Sequence, residues 1–176
     1  MTADPRSRAL LRHFLGALAY RLQKSLRGAP PAFGDFRAAP LVRTPHELAW
    51  HLTGLIGYAR TFFHGGHYAP PPVATLEEEV ARFHAQLALL SSDLDDPALA
   101  CTLTDEQLLQ GPLADAMTHV GQVAMLRRLA GAPVPSELFI HARVDAANVG
   151  PAQADPAAPD TWWRPDQGPL PPGPIA

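Results

Sequence analysis

Apolar residues recur at three- and four-residue spacing in four separate stretches, the period of a helix that buries one face. In the first, Leu10, Leu11, Phe14, Leu15, Leu18 and Leu22 form a stripe that predicts a helix over residues 5–27, ended by Gly28. The second stretch opens on "TPHE". Thr44 is placed to cap the helix, Pro45 suits its first position, and Glu47 can return a bond to the cap's backbone N–H. Leu48, His51, Leu52, Leu55, Ile56, Ala59 and Phe62 then carry the pattern to residue 64. This places His51 on the inward stripe, in step with Leu48, Leu55 and Tyr58. Gly54 and Gly57 lower helix propensity in mid-helix and predict a close neighbour there.

A second capping box, "TLEE" from Thr75, starts the third helix, with Val80, Phe83, Leu87 and Leu90 on its buried side and an end near residue 91. "TDEQLL" predicts a turn or two of helix, broken by Gly111 and Pro112. The fourth helix follows over residues 112–130 and stops at "GAPVP". "SELFIHARV" reads as a short helix or strand. Beyond it, Pro, Asp and Gly dominate, a composition that builds no core of its own. Four long amphipathic helices with few strand signals predict an all-α fold, a four-helix bundle. The bundle spans residues 1–135, and residues 136–176 form an irregular, Pro-rich C-terminal tail. Trp162 and Trp163 in that tail predict that it docks on the bundle or on a second subunit, since an exposed indole pair is an apolar patch.

The 176 residues suffice for one domain with a core that needs no staples. Net charge is −3 and the basic residues are scattered singly or in pairs, as on solvated helix faces, which argues against nucleic-acid binding. A single cysteine, Cys101, excludes an internal disulfide and favours a reducing compartment. Between Leu99 and Leu103 it reads as a small buried hydrophobe rather than a nucleophile. Arg12, His13 and Arg21 interrupt the N-terminal apolar residues, so no leader is predicted, and no run approaches the ~20 apolar residues of a membrane span. The expected location is the cytoplasm.

The chemistry concentrates on histidines. Asp115 and His119 lie four apart and therefore on one face of the fourth helix. A carboxylate there is expensive to bury unless paired or bound to a metal. With His51 from the second helix they compose a His–His–Asp set of the kind that holds catalytic zinc or ferrous iron with positions left open. By spacing alone, an Asp–His pair is equally an ordinary surface contact. His141 is a possible additional ligand, if its segment crosses the open end of the bundle. Trp50, Tyr58 and Phe62 are expected to line a pocket at the bundle mouth, and Gln122 to support the ligands from behind. His64 and His67, in "HGGH", suit a helix C-terminus. His13, His46 and His84 have no matching partner in sequence.

"ELAWHLTGL" and "DAMTHVGQVAMLRRLAG" resemble the DinB-like (YfiT-like) superfamily over residues 8–131. That family joins a histidine on its second helix to an HxxxHxGQ-type pattern on its fourth, and the three histidines bind a divalent metal. His51 matches the first ligand, and His119 matches the histidine before Gly121 and Gln122. Asp115 stands where the commonest pattern has histidine. The resemblance implies an up-down-down-up bundle, often a homodimer, holding zinc, nickel or iron. It also implies kinship with metal-dependent transferases or hydrolases of small molecules, some of which use a low-molecular-weight thiol. Two functions follow as expectations: a metal-dependent enzyme, or a non-catalytic dimer that binds a small ligand or partner, with a degenerate metal site.

Overall fold

The computed structural model describes residues 4–158, and these are helical or irregular apart from an isolated bridge residue at Glu137. Four long helices carry the fold: α1 (Pro5–Leu26), α2 (Pro45–His64), α3 (Leu76–Asp95) and, after the four-residue α4 (Asp105–Leu108), α5 (Ala114–Leu129). No described helix is long and apolar enough to cross a membrane. Both expected capping boxes are formed, at Thr44/Glu47 and Thr75/Glu78, and a third, Thr104/Gln107, starts α4. Each box satisfies two of the N–H groups that a helix start leaves unpaired.

Contacts along the helices fix their directions. Thr53 Oγ1 donates to Glu79 Oε1 (2.6 Å) and Arg60 Nε to Asp93 Oδ2 (2.8 Å), so α2 and α3 run parallel. Arg8 reaches the Asp96 carbonyl (2.7 Å) while Gln23 meets His84 (2.7 Å), so α1 and α3 are antiparallel. Thr102 N–H donates to the Phe62 carbonyl (2.9 Å) and His51 lies beside His119, which makes α2 and α5 antiparallel. The chain thus runs up, down, down and up. Leu15, Leu18, Leu22, Leu48, Leu52, Ile56, Phe83, Leu87, Val120 and Val123 meet in one core.

A parallel α2–α3 pair needs a connection that returns along the full length of α2. At about 1.5 Å per residue, the 20 residues of α2 span about 30 Å. Residues 65–75 cover that distance at the ~3.1 Å rise of an extended polyproline strand. Pro70, Pro71 and Pro72 favour that conformation. Trp50 Nε1 donates to the Pro70 carbonyl (2.9 Å), and the Tyr68 ring lies over Gly57, where a Cβ would stand 2.0 Å from it. Gly57 therefore has the close neighbour its position predicts. Gly54 does not, since its surroundings are open.

Three expectations are corrected. Helix α3 continues to Asp95, because Leu94 is buried and Asp93 pairs with Arg60 and His64. By contrast, the expected break at Gly111 and Pro112 is present: Gly111 takes non-helical angles, φ −88° and ψ −108°, at a kink between α4 and α5. Leu10 is exposed, since Leu11 and Leu15 alone fill that level of the core. Arg8, Lys24 and Arg127 are buried rather than on solvated faces. The guanidiniums of Arg8 and Arg127 serve carbonyls beyond helix ends, those of Asp96 and Leu99, and of Arg27 and Gly28.

Residues 136–158 lie against α1 and α3. Phe139, in a 3-10 turn over Phe139–His141, stacks on the Arg21 guanidinium at 3.6 Å from its ring centroid. Tyr20 donates to Glu137 (2.7 Å), Val149 enters the core, and the Asp145 carbonyl passes 2.6 Å from where a Cβ on Gly16 would stand. The expected docking of Trp162 and Trp163 lies outside the described residues.

Two measurements check this architecture. Glu79 is fully buried and accepts from Thr53, Arg82 and the Val73 N–H, so Glu79→Ala takes the carboxylate from the Arg82 guanidinium and the acceptor from Val73, while Thr53 keeps the Ala49 carbonyl. Chemical denaturation is expected to show a loss of about 3 kcal/mol or more. His84 is buried, with Nδ1 on the Val149 carbonyl (2.7 Å) and Nε2 on Gln23. Burial lowers its pKa below 6.5, outweighing the carbonyl bond that raises it. The unfolded chain therefore binds the proton more readily, and the contribution of neutral His84 is full above 6.5 and lost as pH falls through the folded value. Thermal midpoints should drop between about pH 7 and pH 5, and His84→Gln should flatten that slope.

Candidate metal centre

The site forms where α2 and α5 face each other at the edge of the core. The buried face of α2 comprises Leu48, Ala49, Leu52, Thr53, Ile56 and Ala59. His51, Leu55 and Phe62 flank this face and are half-buried, while Tyr58 is exposed. His51 thus sits beside the inward stripe and not on it, because the 100° step between residues turns it toward α5. Opposite, the kink at Gly111 lets α5 start in a new direction, and Asp115 falls in its first turn.

The structure brings His51, Asp115 and His119 together. One ligand atom from each lies within 4.8 Å of the others, and among the described residues this is the group that could hold a metal ion. His119 Nε2 is 3.2 Å from Asp115 Oδ1, and the rings of His51 and His119 meet edge to face with centroids 4.5 Å apart. A tetrahedral zinc with bonds of about 2.1 Å separates its ligand atoms by about 3.4 Å. The Asp115–His119 spacing already meets that value, and the remaining separation is within reach of side-chain rotation.

Gln122 lies beside His119. Its Oε1 lies 2.9 Å from His119 Nδ1 and can only accept, so Nδ1 carries the proton. That tautomer leaves Nε2, the atom facing Asp115, available to a metal. Burial lowers the pKa of His51, and the Arg43 guanidinium and His119 lower it further, against an opposing pull from Asp115. A neutral imidazole is the form that ligates, so less proton competition stands against binding. Asp115 is half-exposed, so the cost of burying a carboxylate, invoked from the sequence, does not arise.

The remaining expectations divide. Trp50 and Tyr58 do not share a pocket. A cleft of about 300 Å³ on one side includes Arg37, Arg43, Glu47, Trp50 and His51, and one of about 500 Å³ on the other includes Leu55, Tyr58, Phe62, Gln107 and Asp115. The metal-ligand group lies between them. The structure does not bring His141 to this group: its segment packs against α1, where Phe139 stacks on Arg21, and His141 itself is exposed. His64 is tied to Asp93 (2.9 Å) and His67 is exposed, so "HGGH" forms no ligand group with them. Cys101 is half-buried and desolvation raises its pKa, which suits a packed thiol. Arg43, Gln107 and Gln110 were not singled out in the sequence, for they lie in a loop or in the short segment before α5, where no long apolar period marks a face.

If Gln122 fixes the tautomer, Gln122→Ala should weaken zinc binding about tenfold to a hundredfold without changing its stoichiometry. Competition with a chromophoric chelator measures this directly. No protein-family model, curated protein or solved structure matches the chain.

Proposed function

We propose that the protein is a DinB-like, divalent-metal-binding four-helix bundle, and that its metal centre serves a transferase or hydrolase reaction on a small molecule. The observation that carries the reading is the convergence of His51, Asp115 and His119 from two helices, between two open clefts. The up-down-down-up course of the helices supports the family assignment. When bound, a zinc, nickel or iron ion supplies Lewis acidity, which brings the pKa of a coordinated water or thiol toward neutrality.

The chain's own residues prepare that chemistry. Gln122 holds the His119 ring in one tautomer and one orientation. Desolvation lowers the pKa of His51 and so favours its neutral, ligating form. Asp115 offsets part of the cation's charge and, being half-exposed, stands at the opening through which a small molecule enters. Leu55 and Phe62 beside it limit water at the group. Histidine and carboxylate donors accommodate zinc or ferrous iron, so the exchange of histidine for Asp115 alters metal preference rather than removing the site.

The direct Asp115–His119 contact favours a second reading, a non-catalytic domain in which the pair is a simple i,i+4 interaction. Metal analysis of protein purified without an affinity tag separates the two. The first reading expects one equivalent of divalent metal per chain, lost in His119→Ala while helicity is retained. It also expects metal-dependent alkylation of a low-molecular-weight thiol by a bimane halide, or hydrolysis of an activated amide, abolished by the same substitution. Protein that takes up no zinc, with His119→Ala changing stability by only the few tenths of a kcal/mol of a surface pair, rejects it.

A further inference from the structure

Two oppositely furnished clefts adjoin the candidate metal ligands. In the cleft beside His51, Arg37 is already committed: it donates to Glu47 Oε1 (2.9 Å) and to the Val42 carbonyl. Glu47 is committed as well, with its other oxygen on the Thr44 N–H (2.7 Å). Those two charges offset each other. Arg43 is exposed, makes no hydrogen bond or ion pair among the described residues, and is close enough to His51 to act on it electrostatically. The cleft therefore carries one uncommitted positive charge beside the exposed flank of Trp50. A guanidinium in that state presents a planar fork of N–H donors suited to a carboxylate or phosphate.

The cleft beside Asp115 has the opposite character. Leu55, Leu103, Pro112 and the edge-to-face pair Tyr58–Phe62 (4.8 Å between centroids) give it apolar walls, and Gln107 and Gln110 add neutral amides. Among the described residues, its only charged member is Asp115 itself. An acid group would be repelled there, whereas an apolar or aromatic body would bury surface against rings. Between the clefts, Gly54 lies one turn from His51, and no atom approaches within 4 Å of where its Cβ would be. The surface of α2 at Gly54 is therefore open.

We propose that the ligand of this centre is a small amphipathic anion: its acid group pairs with Arg43, its apolar or aromatic body lies against Tyr58 and Phe62, and its middle passes over the His51–Asp115–His119 group. This rests on the metal-binding reading for what happens at the middle of the ligand, but the two ends are recognised by the chain itself. Arg43 is a specificity-determining residue in this arrangement, and the Tyr58–Phe62 pair selects for the body.

Calorimetric titration of the zinc-loaded full chain with 4-phenylbutyrate, its neutral amide 4-phenylbutanamide, and butyrate tests both ends. The acid is expected to bind at least tenfold more tightly than the amide, Arg43→Gln to remove that preference with zinc stoichiometry unchanged, and Arg43→Lys to restore part of it. Phe62→Ala should weaken phenylbutyrate but not butyrate. Equal binding of acid and amide, or failure of the acid to bind at millimolar concentration, overturns the proposal. So does an acid preference that survives Arg43→Gln, which would place the carboxylate on the zinc. If the chain takes up no zinc, the metal reading alone fails. The same titration on the metal-free chain then decides the proposal by whether an Arg43-dependent acid preference is present.

Discussion

The buried carboxylate of Glu79 is the interaction on which the arrangement of helices turns. It joins α3 to Thr53 of α2, to Arg82 one turn along its own helix, and to the backbone of the returning segment at Val73. A buried charge is tolerated only when answered on all sides, and together with the Arg60–Asp93 pair farther along both helices it holds α2 and α3 in the same direction. Hydrophobic burial alone would accept either direction, since both helices present broad apolar faces. The parallel pair in turn requires the extended segment with Pro70, Pro71 and Pro72, which Trp50 and Tyr68 pin along α2.

With one flank of α2 given to α3 and the returning segment, the other flank is left to face α5. That is where His51 lies. The candidate centre is thus a consequence of how α2 is shared between neighbours: its most buried face supplies the core, and the residues one step to the side meet Asp115 and His119. A site at the edge of the core has two properties that a central one lacks. Its ligands stay partly accessible, and the diverging helices leave a cleft on either side. Those clefts differ because different segments border them, the basic loop before α2 on one side and the kinked segment at Gly111 before α5 on the other.

Residues 136–158 act on the opposite side of the molecule. They cover α1 and α3, contribute Val149 to the core, and satisfy Tyr20 and His84. Gly16 is needed where the backbone at Asp145 crosses α1, because a methyl group there would meet a carbonyl oxygen rather than a side chain that can turn aside. The segment removes His141 from the metal centre, since docking against α1 places it on a different face from the α2–α5 groove.

The sequence by itself determined the helices, because their signals are local. Thr44 with Glu47 and Thr75 with Glu78 form their capping boxes within four residues, and the apolar period needs no partner to be read. It also determined that Asp115, His119 and Gln122 share one helical face, since spacings of three and four fix that geometry wherever the helix sits. The tertiary structure alone decided what met that face. His51 reaches it because α2 and α5 are antiparallel and in register, a relation between residues 68 positions apart in the chain that no local period encodes. The same is true of buried Arg8 and Arg127, whose guanidiniums look solvated in sequence and are held by carbonyls at the ends of other elements. It is true as well of Arg43, which stands beside a helix cap in the chain and becomes part of a cleft only when α2 is packed. Such placements depend on which polar groups remain unpaired after the helices have assembled, and that is settled by long-range packing.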